Sequence, residues 1–200
     1  MAEMLDWRLA PIGVFLGENI NGHGWVLDVG CGSGDLGRML ADGRPDIRYA
    51  GVDVCEQRIP AGDFYTMALP ELPGLKGEFD AVVCMGTLWF VRDTKEAVLR
   101  LVELSKEYLI IEVIVRGERN QHPYHRDDKG YITEQATAKG AFKVYVMSHE
   151  EVDDMMIKYI FPKFRLAHYR TIPLKAVMCG LLNSLGVISL ILTFEKKEEK

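Results

Sequence analysis

A chain of 200 residues is the usual size of one domain and leaves little room for two. With 48% hydrophobic and 26% charged residues, it is neither a disordered tail protein, a fibre nor a multi-span membrane protein. Its net charge of −5 lacks the positive field that supplies most affinity for phosphate backbones, so a nucleic-acid partner is disfavoured without a local basic patch.

The N-terminus carries acids early and has no long apolar run, so no signal peptide is expected. Over residues 4–20, Met4, Leu5, Leu9, Ile12 and Leu16 share one face of a short helix, weakened by Pro11 and Gly13. Asn21-Gly22-His23-Gly24 is a turn cluster, and residues 25–29 then read as a buried strand. A glycine-rich loop leads into a helix over about 35–41, ended by Asp42-Gly43 and Pro45. Residues 49–54 and 79–85 are the next strands. Only eight residues separate Val54 from Asp63, too few for a full helix, so a third strand is expected as a fragment near Arg58-Ile59.

Residues 93–106 form a helix with Ala97, Val98, Leu101 and Val102 on its apolar side, and it runs into a strand over 108–113. A long polar loop follows over 116–128. Ser148-His149-Glu150-Glu151 is a capping box opening a helix to about residue 159, which makes His149 inert. Residues 164–171 and 187–194 form the last strand pair, with an antiparallel member. The uncharged stretch 176–194 approaches the length of a membrane span, but Gly180, Asn183, Ser184 and Gly186 interrupt it, and its β-branched end reads as a strand. Four separate cysteines without a C-x-x-C pair read as reduced thiols, and the expected location is cytoplasmic. Continuous apolar strands alternating with helices predict an α/β fold: one doubly wound, mostly parallel seven-stranded sheet, with helices on both faces and an antiparallel C-terminal strand. Ligands then lie just past Val29, Val54, Met85 and Val113, at the strands' carboxyl ends.

Past the first strand, glycines recur at Gly30, Gly32 and Gly34, so the backbone can turn sharply and approach a ligand closely. Gly32-x-Gly34-x-x-Gly37 also satisfies the dinucleotide fingerprint, and Asp53 supplies the acid either reading needs at the end of the second strand. The register separates the two, because Gly30 ends the strand and Asp28 sits inside it. Asp28-x-Gly30-x-Gly32-x-Gly34 resembles the motif of class I S-adenosylmethionine-dependent methyltransferases. Gly51-Val52-Asp53-Val54, Gly62-Asp63-Phe64 and Phe79-Asp80-Ala81-Val82-Val83 resemble that family's next three motifs, in order. The loop has no cation before Arg38, which suits a cofactor that carries a sulfonium and no phosphate.

The resemblance implies S-adenosyl-L-methionine as cofactor, with Asp28, Gly30, Gly32, Gly34, Asp53, Val54, Asp63, Phe64 and Met85 in its site. Asp53 would accept the ribose hydroxyls, Asp63 the adenine amino group, and the Phe64 amide would meet the ring. The segment after the fourth strand, Met85-Gly86-Thr87-Leu88-Trp89-Phe90, lacks the Asn/Asp-Pro-Pro-aromatic run of nucleic-acid amino methyltransferases, the Pro-Cys pair of cytosine-C5 enzymes and the acid of metal-dependent catechol-type enzymes. No metal is expected. Trp89 and Tyr124 are candidate substrate contacts, against a core role for Trp89. His122 and His125 are candidate bases, against a solvated loop.

The chain is therefore read as one methyltransferase domain over 1–200. Residues 1–22 form an N-terminal helical segment, 23–115 a cofactor-binding half, and 116–200 the substrate-side loop and C-terminal strands. Its expected reaction is direct in-line methyl transfer to a small-molecule acceptor, by a monomer or homodimer. The alternatives are an RNA or protein methyltransferase and a catalytically silent subunit serving as a binding platform.

Overall fold

The computed structural model describes residues 8–55, 62–75, 79–116, 125–127, 130–137, 140–173 and 187–198; within 116–144 and 172–189 the description is of the backbone. In chain order these residues form α1 (Leu9–Asn19), β1 (Trp25–Val29), α2 (Asp35–Gly43), β2 (Arg48–Asp53), β3 (Asp63–Thr66) and β4 (Phe79–Cys84). A 3-10 turn (Leu88–Phe90), α3 (Thr94–Leu104) and β5 (Ser105–Arg116) follow, then β6 (His125–Asp127), β7 (Gly130–Thr137) and β8 (Gly140–Val146). The chain ends with α4 (His149–Met155), a π turn (Met156–Ile160), β9 (Phe164–Pro173) and β10 (Val187–Lys196).

Alternation along β1 sends Val26 and Asp28 to one face of the sheet and Leu27 and Val29 to the other. On the first face Ile12 and Leu16 of α1 and Leu36 and Leu40 of α2 cover Val26, Ala81, Val83 and Ile110. On the second, Ala97, Val98 and Leu101 of α3 and Val152 and Met155 of α4 cover Leu27, Val82, Leu109 and Ile111. Each Val, Leu, Ile or Met among them taken wholly out of water contributes about 1.5–3 kcal/mol, which is why a helix must lie on either side. The helix starts are set locally. The Asp93 carboxylate accepts the Glu96 N–H at 3.3 Å to open α3. At α4 the Ser148 hydroxyl takes the Glu151 N–H at 3.1 Å and the Glu151 carboxylate takes the Ser148 N–H at 2.7 Å. That is the capping box the sequence predicts.

The sheet order is β3-β2-β1-β4-β5-β10-β9. Six strands point one way, and β10 alone runs against both its neighbours. This is the seven-stranded, mostly parallel architecture expected. The chain steps outward from β1 to β3 and then returns to lay β4 on the other side of β1, so the crevice between β1 and β4 is the switch point where a ligand fits.

Two local expectations are corrected. The third strand is Asp63–Thr66, since nine residues (54–62) after β2 already bring the chain back alongside it; Arg58 and Ile59 lie outside the described residues. The polar stretch after β5 also holds a second, three-stranded antiparallel sheet in the order β6-β7-β8. Its sequence signal is the pair Tyr131-Ile132-Thr133 and Phe142-Lys143-Val144-Tyr145-Val146, each entered by a glycine. β8 passes beside the 3-10 turn and β5. The uncharged stretch ends in β10 as predicted, and among the described residues no helix is long and apolar enough to cross a membrane.

Candidate active site

The loop after β1 is fastened to the end of β2. The Gly30 and Cys31 amides both donate to the Val52 carbonyl, at 2.7 and 3.0 Å, and the Gly32 amide donates to Asp53 Oδ2 at 3.0 Å. Gly30, Gly32 and Gly34 all have positive φ, and Gly34 is the N-cap of α2. At Gly30 a second constraint applies, because a Cβ would lie on the Thr87 side chain. The two sides of the β1/β4 crevice therefore meet with no room for a side chain. Gly37 is needed for another reason: a Cβ there would come within 2.6–2.9 Å of the Tyr49 ring carbons.

Tyr49 packs under α2 and donates its hydroxyl to Asp28 Oδ2 at 2.7 Å in a buried pair. Burial pushes the Asp28 carboxyl up to about 7; the Tyr49 hydrogen bond opposes the rise and the nearby Asp53 charge adds to it. Burial, with Asp28 and Asp53 close by, also pushes the Cys31 thiol up to about 12. Cys84 is wholly buried and its thiol is likewise raised, chiefly by burial. Neither thiol serves as a nucleophile near neutral pH.

A cleft of about 700 Å³ opens at the switch point. Val29 and Gly30 form its floor, with Val52, Asp53 and Val54 on one flank and Gly86, Thr87 and Phe90 on the other. Met67, Ala68, Leu69 and Pro70, just past β3, close the remaining side. Asp53 is half-buried, and each of its oxygens already accepts one amide, Gly32 N–H at 3.0 Å and Cys55 N–H at 3.0 Å. Asp53 therefore has a structural task in the loop besides the ribose contact expected of it. Each carboxylate oxygen keeps a second lone pair for a hydroxyl in the cleft.

The predicted residues divide. Gly30, Asp53 and Val54 line the cleft, whereas Asp28, Gly32 and Gly34 support it from beneath. Asp63 and Phe64 do not reach it. Asp63 opens β3 level with Ala50, whereas Asp53 is level with Thr66, so the two acids stand about 10 Å apart at ~3.3 Å per residue. The residues past the end of β3 occupy the place foreseen for them. Met85 turns into the core under α1 and α2, leaving Gly86 and Thr87 at the rim. Trp89 is 5% exposed and its indole N–H has no hydrogen-bond partner among the described residues, while Phe90, 45% exposed, faces the cleft. His122 and Tyr124 lie outside the described residues, and His125 is described only as the first residue of β6.

One acid escaped the sequence reading. Glu112 lies in the middle of β5 with no exposure; it accepts the Gly86 N–H at 2.8 Å and Arg8 Nη1 at 3.0 and 2.9 Å. A lone acid within Leu109–Val115, otherwise wholly apolar, was its signal.

Residues 27–107 match the family model described as a methyltransferase domain. Among solved structures, the chain resembles magnesium protoporphyrin IX methyltransferase from Synechocystis PCC 6803 with bound S-adenosylmethionine, at 16% identity, covering 96% of this chain and 79% of that one, with a TM-score of 0.61. It is similar to the same degree to the Haloferax volcanii methyltransferase complexed with its activator Trm112 (16% identity, 98% and 91% covered, TM-score 0.63). The [4+2]-cyclase SpnF also shares the fold (16%, 98% and 84%, TM-score 0.64). No curated protein sequence matches the chain significantly. Residues 27–107 thus match a methyltransferase domain, and the fold is the one these S-adenosylmethionine-dependent methyltransferase structures share.

Proposed function

We propose that the protein uses S-adenosyl-L-methionine to methylate a small molecule. The cofactor fits the cleft on chemical grounds. Apolar side chains (Val29, Val52, Met67, Leu69, Phe90) flank the Asp53 carboxylate, Gly30 exposes bare backbone, and the charged pair Arg92 and Asp93 stands at the cleft's edge. Asp53 would hold the ribose hydroxyls, and Met67 to Pro70 the adenine. When bound, the cofactor supplies a methyl group on a positively charged sulfur. The chain's part is to hold the acceptor's lone pair in line with that methyl and to keep water out, an entropic contribution that needs no catalytic base. Where a proton has to leave, His122 and His125 are the candidate bases.

The observation that carries the small-molecule reading is a second cavity of about 350 Å³ that shares Arg92 and Asp93 with the cleft. Tyr145 and Met147, at the end of β8, and Met155 and Tyr159 line its far side. A space of that size suits a metabolite rather than a polymer, and the β6–β8 insertion lies alongside it, where loops over strand ends carry substrate contacts. The magnesium protoporphyrin enzyme offers a precedent for a small acceptor on this fold.

The test supplies the protein with methyl-tritiated S-adenosylmethionine and a metabolite extract, total RNA or a protein extract. Label in the small-molecule fraction is expected. Label in RNA or protein would overturn the acceptor class, and no label anywhere favours the silent subunit. Separate melts with S-adenosylhomocysteine and with NAD test the cofactor. A native-state ligand at about 100 times its Kd adds roughly 2.7 kcal/mol, and a rise with NAD alone would reverse the register argument.

A further inference from the structure

Glu112 is costly where it stands. Its carboxylate is fully buried in a strand whose neighbours, Leu109 to Val115, are all apolar, and a carboxylate in such a place must be repaid by excellent pairing. An apolar residue there would complete the strand without that cost. The carboxylate makes two connections that an apolar residue cannot. Oε2 accepts the Gly86 amide at 2.8 Å, and both oxygens hold Arg8 Nη1, at 3.0 and 2.9 Å, from the segment that leads into α1. Gly86 turns the chain out of β4 at φ +67°, and the next residue, Thr87, bonds the Met85 carbonyl through Oγ1 at 3.1 Å. Thr87 in turn fills the space over Gly30 where a Cβ would otherwise fit. Gly30, Gly86 and Thr87 all line the cleft.

We propose that Glu112 is a positioning residue for the cofactor: it pins the Gly86–Thr87 rim opposite the glycine loop and, through Arg8, ties the N-terminal segment to that same rim. The proposal rests on the S-adenosylmethionine reading. With the pin removed, the turn at Gly86 loses its acceptor and the crevice loses its fixed width, so a ligand has to reorganise the rim on binding.

The experiment measures S-adenosylhomocysteine affinity by calorimetry at 10 °C, with folding checked by circular dichroism, beside thermal melts of the same samples. Glu112→Gln, Arg8→Gln and their double variant are compared with Leu104→Ala, a buried core change beside the start of β4, at the opposite end of that strand from Gly86. Each single variant is expected to weaken binding roughly 10- to 100-fold, the worth of one charge-assisted hydrogen bond. The double variant is expected to be no weaker than the worse single one, because the pair acts as a unit. Leu104→Ala is expected to melt lower yet bind within about twofold of the parent, as changes this far apart act independently. Arg8, 14% exposed and next to α1, carries the test on its own where Glu112→Gln does not fold. Parent-like affinity in folded Glu112→Gln or Arg8→Gln would overturn the proposal, and so would affinity that simply follows melting temperature across all four variants. A parent that binds no S-adenosylhomocysteine would instead refute the cofactor reading beneath it.

Discussion

Replacing Asp53 with Ala separates what this carboxylate does for the cofactor from what it does for the loop. In the protein alone it accepts the Gly32 and Cys55 amides, both at 3.0 Å. Hydrogen bonds to a charged group contribute about 1.5–3 kcal/mol each, but Asp53 is half-buried and water replaces part of that. A loss of about 1–2 kcal/mol of stability remains. In a domain of this size each kcal/mol lowers Tm by about 2–4 °C, so the variant is expected to melt about 2–8 °C lower. In the proposed complex the same oxygens would take the ribose hydroxyls, and their loss is expected to weaken S-adenosylhomocysteine binding by roughly 10- to 200-fold. Asp53→Asn, with one acceptor oxygen left, should fall between parent and Ala in both respects. Calorimetric titration well below Tm reads the affinity, and scanning calorimetry reads the stability. An Asp53→Ala protein that binds within twofold of the parent would refute the ribose assignment. An unchanged Tm would show that the loop does not depend on the two amide bonds.

Asp28, whose carboxyl is raised to about 7, is protonated in the folded protein at pH values where the unfolded chain has already ionised. Its contribution to stability is therefore complete below about pH 4 and lost as pH rises through about 7, at ~1.4 kcal/mol per unit of separation. Asp28→Asn keeps an acceptor for Tyr49 and should flatten this decline between pH 4 and 7 in urea titrations; parallel curves for parent and variant would refute the burial argument. Gly37→Ala forces the Tyr49 ring from its place and is expected to cost about 1–3 kcal/mol in chemical denaturation. Trp89→Ala should cost about 3–5 kcal/mol of stability, whereas Phe90→Ala should leave stability nearly intact and weaken cofactor binding. The opposite pattern would restore Trp89 as the ligand contact.

The cofactor half was legible because its signals are local. Gly30, Gly32 and Gly34 stand where the backbone must adopt positive φ, and Asp53 ends a strand whose apolar run leaves one reading of its register. Asp63 misled because a glycine-acid-aromatic triplet marks a strand end only if the strand precedes it. The chain instead enters β3 at that point, which only the pairing of Asp63 with Ala50 reveals. Trp89 and Phe90 could not be told apart because a 3-10 turn has neither the two-residue nor the 3.6-residue period that assigns sides. Glu112 was visible as an anomaly. Its meaning was not, since its partners Gly86 and Arg8 lie 26 and 104 residues away.

β9 ends the sheet, and its outer ladder of N–H and C=O groups has no strand beside it among the described residues. Such a ladder invites a strand from another molecule and so seeds aggregation. Seven consecutive residues, Arg165 to Thr171, are exposed along it, with Arg165, His168 and Arg170 among them. The Arg165–Glu195 contact, 2.9 Å and open to solvent, contributes little to the fold itself. What these side chains protect is solubility. Mostly bulky, and charged at Arg165 and Arg170, they make it costly for a second chain to lie flat against the ladder of this ten-residue edge strand.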